Sequence, residues 1–156
     1  MFVATKVGVN PDSERGADVV RCAMPKMRKH PVILVVDDEA PLRIAVRKIL
    51  EPCGYQVLEA EDGARAVAML RDDIPVDLLL ADLEMPELKG DELAIQLRAT
   101  RPELKVLYVS GYIERLFARR PVLWEDEAFL EKPFSAEGLV QAVSLLLFGT
   151  LKRPEK

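Results

Sequence analysis

Polar residues follow four short apolar segments of the chain, and their types suit phosphoryl chemistry. The residues that end these segments are Asp37 with Asp38, Asp82, Ser110 and Lys132. Carboxylates bind hard divalent cations, and an ammonium group neutralises a phosphate oxygen. If the fold brings these positions together, the chain has the groups that a divalent cation and a phosphoryl group require.

The apolar segments predict the strands of a parallel sheet that is buried on both faces. We predict an α/β fold, a (βα)5 doubly wound parallel five-stranded sheet with the flavodoxin-like strand order 2-1-3-4-5. In this order the carboxyl ends of strands one, three, four and five are neighbours, so the polar positions meet at one edge. The predicted strands are residues 32–36, 55–60, 76–81, 104–109 and 127–131.

Helices with one apolar face alternate with these strands. Gly54 is predicted to end the first helix and Ser135 to cap the last. The pattern weakens between Ser110 and Lys132, where two helical turns and an acidic loop fit the sequence. The predicted helices are residues 42–53, 63–74, 91–100, 113–119 and 136–148.

Length and composition indicate one globular domain with tails. The chain has 156 residues, of which 49% are hydrophobic and 31% charged. We expect a flexible N-terminal leader over 1–30, one domain over 31–148, a C-terminal tail over 149–156, and therefore a domain that acts alone. The leader is either a docking arm or the result of an upstream start codon, and the sequence does not separate these alternatives.

Charge and cysteine content exclude several classes of protein. The net charge of −4 argues against nucleic acid or an anionic membrane as a partner. No apolar segment is long enough for a signal peptide or a membrane span. Cys22 and Cys53 form no disulfide framework, and Cys53 lies on an apolar helical stripe, so we predict a buried thiol and a cytoplasmic location.

The acidic residues predict a site for Mg²⁺ or Mn²⁺. Asp37, Asp38 and Asp82 offer oxygen ligands, which hard cations prefer. The single histidine, His30, lies in the predicted leader, and no Cys or His cluster has the spacing of a zinc site. The alternative is that the aspartates only cap the following helix and loop.

The combined motifs resemble the receiver domain of two-component response regulators. They are Asp37-Asp38-Glu39, Asp82 with Met85-Pro86 and Gly90, Ser110-Gly111, and Lys132-Pro133-Phe134. The four main positions are 45, 28 and 22 residues apart in this order. The resemblance covers about 31–148, and the segments around Ser110 and Lys132 are similar to the receivers of hybrid sensor histidine kinases.

The resemblance implies a role for each motif residue. Asp82 would be the phosphoacceptor, and a metal ion would bind Asp38, Asp82 and the backbone carbonyl of Glu84, with Asp37 acting largely through water. Lys132 would contact the phosphate, with a cis peptide bond to the following proline.

Two further residues would connect phosphorylation to the protein surface. Ser110 would be the switch hydroxyl, and Phe129 would be the aromatic residue that follows its movement. A phosphate adds roughly −1.5 to −2 charges, which is enough to reorient a nearby hydroxyl. The alternative for Phe129 is an ordinary core aromatic residue.

The expected function is that of a signalling phosphoacceptor in a two-component system or phosphorelay, and not of an enzyme acting on other substrates. Its expected partners are a histidine kinase or histidine phosphotransfer protein and a downstream protein target, and it would be a monomer or weak homodimer. One alternative is a receiver-like interaction module that works without phosphorylation. Another is a phosphatase with an aspartate nucleophile, although the chain has no DxD arrangement at Asp37.

Overall fold

Five parallel strands form one sheet in the order β2-β1-β3-β4-β5, which confirms the predicted fold. The computed structural model describes residues 30–112, 114, 117–118 and 126–149. The strands are β1 (Val32–Val36), β2 (Gln56–Ala60), β3 (Leu78–Asp82), β4 (Lys105–Ser110) and β5 (Glu127–Glu131).

Within the described part of the chain, four longer helices connect or follow these strands. They are α1 (Ala40–Leu50), α2 (Gly63–Arg71), α3 (Gly90–Arg98) and α4 (Ala136–Phe148). A 3₁₀ turn (Glu51–Cys53) extends α1, and Gly54 ends it in the left-handed conformation, with φ at 98°. Ser135 caps α4 as predicted, because its side chain accepts a hydrogen bond from the Gly138 amide.

The structure differs from the prediction at several boundaries. Strands β3 and β4 end one residue later than predicted, so Asp82 and Ser110 are the last residues of their strands. His30, predicted to lie in the leader, has its Nδ1 3.1 Å from the Gly54 carbonyl oxygen. The rest of the leader, most of the predicted helix over 113–119, and residues 150–156 fall outside the described residues.

Apolar side chains cover both faces of the sheet, which is why β1 and β3 are buried along their whole lengths. One core cluster lies between the sheet and helices α2 and α3, and the other lies between the sheet and helices α1 and α4. Cys53 is only half-buried at the end of α1, so the predicted buried thiol is partly accessible. No helix among the described residues is long and apolar enough to cross a membrane.

The start of α3 packs directly on the end of β3. A Cβ atom added to Gly90 would lie 2.5 Å from the carbonyl oxygen of Asp82, a distance that real Cβ atoms do not reach. In the first turn of α3 the Lys89 amide donates to the Glu92 side chain at 3.1 Å, which is one of the two hydrogen bonds of a capping box. This packing sets the path of the loop that follows Asp82.

Candidate functional site

Asp37 and Asp82 lie side by side because β1 and β3 are neighbouring strands. Val36 pairs with Ala81, so the residue after each pair reaches the carboxyl-terminal edge of the sheet. Both aspartates form the same local turn: the Glu39 amide donates to Asp37 Oδ1 at 2.8 Å, and the Glu84 amide donates to Asp82 Oδ1 at 2.9 Å. In each carboxylate, Oδ1 therefore accepts a hydrogen bond from the backbone, and Oδ2 takes no part in the turn.

The second oxygens of both carboxylates face Lys132. Its Nζ lies 3.3 Å from Asp82 Oδ2 and 3.5 Å from Asp37 Oδ2. The Lys132 amide donates to the Ser110 carbonyl at 2.9 Å, and the Lys132-Pro133 peptide bond is cis, as expected. Lys132 thus links β5 to β4 through its backbone and to β1 and β3 through its side chain.

Asp38 adds a third carboxylate to this edge. One ligand oxygen from each of Asp37, Asp38 and Asp82 lies within 4.8 Å of the others. Asp37 and Asp82 are buried and Asp38 is exposed, next to a groove of about 500 Å³ between α2 and the loop after β3. Closely spaced carboxylate oxygens with access from solvent fit a hard divalent cation such as Mg²⁺.

The capping alternative is only partly correct. The N-cap of α1 is Glu39, and its side chain makes no capping hydrogen bond, so neither Asp37 nor Asp38 caps this helix. Asp37 and Asp82 do stabilise the turns that follow them. These turns use one oxygen of each carboxylate and leave the other for Lys132 or a cation.

Burial and the neighbouring carboxylates make the negative charge of Asp37 unfavourable. Burial raises the pKa of Asp37 to about 6, and the carboxylates of Asp82 and Asp38 add to this effect. The Glu39 amide and Lys132 oppose it. Burial lowers the pKa of Lys132, but the carboxylates of Asp37 and Asp82 outweigh burial, so this pKa lies above its ordinary value.

Ser110 ends β4, the strand next to that of Asp82, and Phe129 lies on β5, one strand further out. The Ser110 side chain is buried, and its Oγ accepts a hydrogen bond from the Tyr112 amide at 2.8 Å. Phe129 is 42% exposed, so it is not an ordinary core aromatic residue. Its ring packs edge-on against Phe117, with ring centroids 5.3 Å apart.

Sequence reasoning missed Arg43, which contacts the turn that contains Asp37. Its Nη1 donates to the Asp37 carbonyl oxygen at 2.6 Å, and its Nε donates to Glu59 at 3.2 Å. The sequence contains a weak signal, since Arg43 and Arg47 are one helical turn apart. A pairing between α1 and β2 nevertheless depends on the three-dimensional fold.

Comparison with known proteins agrees with this geometry. The family model of the response regulator receiver domain matches residues 33–144. The response regulator receiver protein CpdR of Brucella abortus is 33% identical over 117 residues, which are 75% of this chain and 97% of that protein.

Two further similarities concern a sensor kinase. The sensor kinase CckA of Brucella abortus is 37% identical over 116 residues, which are 74% of this chain but only 12% of the kinase. The crystal structure of the receiver domain from the hybrid histidine kinase CckA has a TM-score of 0.64 and 31% identity, and the match covers 74% of this chain and 98% of that domain. The chain therefore belongs to the family of response regulator receiver domains.

Proposed function

We propose that this chain accepts a phosphoryl group on Asp82 from the phosphohistidine of a histidine kinase or histidine phosphotransfer protein, and that the charge gained switches the binding of a downstream protein. The observation that supports this most strongly is the surroundings of Asp82. Its carboxylate has an ammonium group at 3.3 Å and two further carboxylates whose oxygens lie within 4.8 Å. These are the groups that phosphoryl transfer to a carboxylate needs.

The chemical step balances without another reactant. A carboxylate oxygen of Asp82 attacks phosphorus in line with the donor nitrogen, the P–N bond breaks, and its electron pair stays on the imidazole, which takes up a proton. The product is an acyl phosphate. Lys132 would stabilise the charge on a phosphoryl oxygen, since its ammonium group already faces Asp82 Oδ2.

Mg²⁺, or Mn²⁺, is part of this proposal. Asp37, Asp38, Asp82 and the backbone carbonyl of Glu84 would hold it, with Asp37 acting largely through water. When bound, the ion neutralises the phosphoryl oxygens and the repulsion among the carboxylates. The Glu84 amide already donates to Asp82 Oδ1, which orients the carboxylate relative to its own loop.

The switch would act through Ser110 and Phe129. A phosphate on Asp82 offers new acceptor oxygens one strand away from the Ser110 hydroxyl, which now accepts from the Tyr112 amide. Movement of this hydroxyl would free space towards β5, where Phe129 is partly exposed and packs on Phe117. The surface around Phe129 would then differ between the two forms.

In this proposal the chain is not an enzyme acting on other substrates, because it transfers phosphate only to itself and then to water. Its partners are proteins, and neither nucleic acid nor a membrane is needed. The cytoplasmic location and the monomeric or weakly dimeric state remain predictions.

The test is the intact mass of the protein after incubation with acetyl phosphate and Mg²⁺. We expect one phosphoryl adduct on the wild type, none after chelation of Mg²⁺, and none on Asp82→Asn. Asp77→Asn is the matched control, because Asp77 lies near the other end of the same strand, where it accepts from the Val32 amide at 2.8 Å. It should still form the adduct.

An adduct that persists on Asp82→Asn would contradict the assignment of the acceptor. If folded wild type forms no adduct with either acetyl phosphate or a phosphohistidine donor, the proposal is wrong. The interaction module that works without phosphorylation would then be the better description.

A further inference from the structure

The turn between β1 and α1 contains two of the three carboxylates at the candidate site. Its backbone is bonded at both ends: the Asp37 amide donates to the Ala60 carbonyl of β2 at 3.3 Å, and the Glu39 carbonyl accepts from the Leu42 and Arg43 amides in α1. Between these bonds lies the peptide that joins Asp37 to Asp38. The direction of this peptide determines where the Asp38 side chain begins.

Arg43 holds that peptide from the helix side. Its Nη1 donates to the Asp37 carbonyl oxygen at 2.6 Å, which is a short charge-assisted hydrogen bond. Its Nε donates to Glu59 Oε1 at 3.2 Å, so the guanidinium joins α1 to the turn and to β2. The Arg43 side chain is 16% exposed, so the contact is largely shielded from competing water.

This contact has a direct geometric effect on Asp38. A peptide group is planar, so a fixed carbonyl oxygen also fixes the amide nitrogen and Cα of the next residue. Burial cannot fix Asp38, because its side chain is exposed, whereas Asp37 is fully buried and is also bonded to the Glu39 amide. Arg43 therefore restrains the one carboxylate of the three that packing leaves unrestrained.

We propose that Arg43 is a positioning residue for divalent-cation binding: by holding the Asp37 carbonyl, it keeps the Asp38 carboxylate near those of Asp37 and Asp82. Groups that orient metal ligands contribute about 10- to 100-fold to metal affinity. This inference rests on the proposed function, because it assumes that the three carboxylates bind the cation.

Arg47 offers a matched control on the same helix. It donates to the same Glu59 carboxylate at 2.7 Å and to Glu51 at 2.8 Å. Both arginines thus support the packing of α1 on β2, but it is Arg43 that bonds the Asp37 carbonyl. Comparing the variants of the two arginines therefore distinguishes an effect of helix packing on Mg²⁺ binding from an effect of turn orientation.

The experiment is calorimetric titration of the full chain with Mg²⁺ alone, for the wild type, Arg43→Ala, Arg43→Lys and Arg47→Ala. Thermal melting of each variant checks the fold. We expect the dissociation constant for Mg²⁺ to rise about tenfold in Arg43→Ala and to stay close to the wild-type value in Arg47→Ala. Arg43→Lys should recover part of the affinity, because an ammonium group can reach the carbonyl but cannot bridge two acceptors in the same plane.

A second measurement separates positioning from general stability. With acetyl phosphate as donor, the Mg²⁺ concentration that gives half the maximal rate should rise about tenfold in Arg43→Ala, while the rate at saturating Mg²⁺ stays near that of the wild type. With a purely structural role, the half-maximal Mg²⁺ concentration and the rate at saturating Mg²⁺ would both change, or neither would.

Three results would overturn the inference. Folded Arg43→Ala with wild-type affinity for Mg²⁺ is the first, and equal weakening in Arg47→Ala is the second. If Arg43→Ala does not fold, Arg43→Met decides, because it keeps the aliphatic stem but has no donor for the Asp37 carbonyl, and wild-type affinity there is the third. In these cases the proposed function stands, whereas a wild-type chain that binds no Mg²⁺ would remove the metal site and the inference together.

Discussion

Two clusters of charged side chains lie at opposite edges of the sheet, and they differ in charge balance. At the carboxyl-terminal edge, the acidic cluster of Asp37, Asp38 and Asp82 faces the single ammonium group of Lys132. Two negative charges there are not balanced within the cluster. This excess lies where the strands end and ligands commonly bind in parallel sheets.

The balanced cluster lies at the amino-terminal ends of β4 and β5. Glu127, whose side chain is fully buried, accepts from Tyr108 Oη at 2.8 Å and pairs with Arg98 Nη1 at 3.4 Å. Lys105 pairs with Asp126 at 2.9 Å. Among the residues that the structure describes, two cations therefore meet two carboxylates, and Arg98 also donates to the backbone carbonyls of Leu104 and Asp126.

This difference in charge balance indicates that the balanced cluster stabilises the fold, whereas the acidic cluster lowers the stability of the protein. Replacing one member of a buried ion pair destabilises the protein, because the other charge is then buried without its partner. Carboxylates crowded together without enough cations destabilise the protein until a ligand supplies positive charge. Substitutions in the two clusters should therefore change stability in opposite directions.

The largest change is expected in the balanced cluster, for Glu127→Gln. The substitution keeps the size of the side chain but removes its charge, so the largely buried guanidinium of Arg98 loses its carboxylate. The free energy of unfolding should fall by about 3 to 5 kcal/mol, measured by urea denaturation, with little change in Mg²⁺ affinity. Unchanged stability would show that charge balance does not distinguish the clusters.

In the acidic cluster, Asp37 should make the metal-free protein less stable as the pH rises. The folded pKa of about 6 lies above the ordinary value of 3.8 for an aspartate, so the protonated carboxyl is the form that the fold favours. The protonated Asp37 carboxyl contributes about 2 to 3 kcal/mol to the free energy of unfolding. This contribution is complete below pH 3.8 and is lost as the pH rises through 6.

Asp37→Asn should remove this dependence and stabilise the metal-free protein at pH 7 by about 2 kcal/mol. Denaturation of both proteins at pH 4 and pH 7, in the presence of a chelator, is the measurement. The two proteins should be nearly equal at the lower pH and differ at the higher one. A variant that is less stable at pH 7 would refute the explanation.

A smaller change is expected for Lys132→Ala, which makes the acidic cluster more negative. Mg²⁺ should still bind, with affinity higher by about 1 kcal/mol, because the cation no longer competes with the ammonium group. Formation of the acyl phosphate should slow, since the contact proposed for a phosphoryl oxygen is lost. Titration calorimetry and intact mass follow the two effects, and weaker Mg²⁺ binding would contradict the first.

The smallest change should come from Lys105→Ala, at the outer edge of the balanced cluster. The Lys105 and Asp126 side chains are 29% and 40% exposed, so water already screens this pair. The free energy of unfolding should fall by no more than about 0.5 kcal/mol in urea denaturation. A loss as large as that of Glu127→Gln would mean that the cluster acts as one unit.

The sequence was sufficient to predict the acidic cluster because its residues follow a rule of position. Asp37 and Asp82 end apolar segments, and a parallel sheet brings such ends together. Lys132 follows the same rule at the end of β5, and the structure places it against both aspartates.

The balanced cluster and Arg43 follow no rule of this kind. Glu127 is polar at the start of a strand, where exposure is the normal expectation, yet it is buried where Arg98 and Tyr108 meet it from distant parts of the chain. Arg43 likewise needs the register of α1 against β2. Side-chain pairing between separated elements depends on packing, which local patterns do not encode.

Two motif glycines that look equivalent in the sequence impose different limits on variation. A library of all substitutions would lose nearly every variant at Gly90, alanine included, because one methyl group there collides with the backbone of Asp82. At Gly111 an added Cβ would meet no atom of the described residues within 4 Å, so these residues set no limit on volume there. Selection at position 90 would then act on side-chain volume, and the presence of that glycine could be used to screen receiver chains for an intact loop after the residue that corresponds to Asp82.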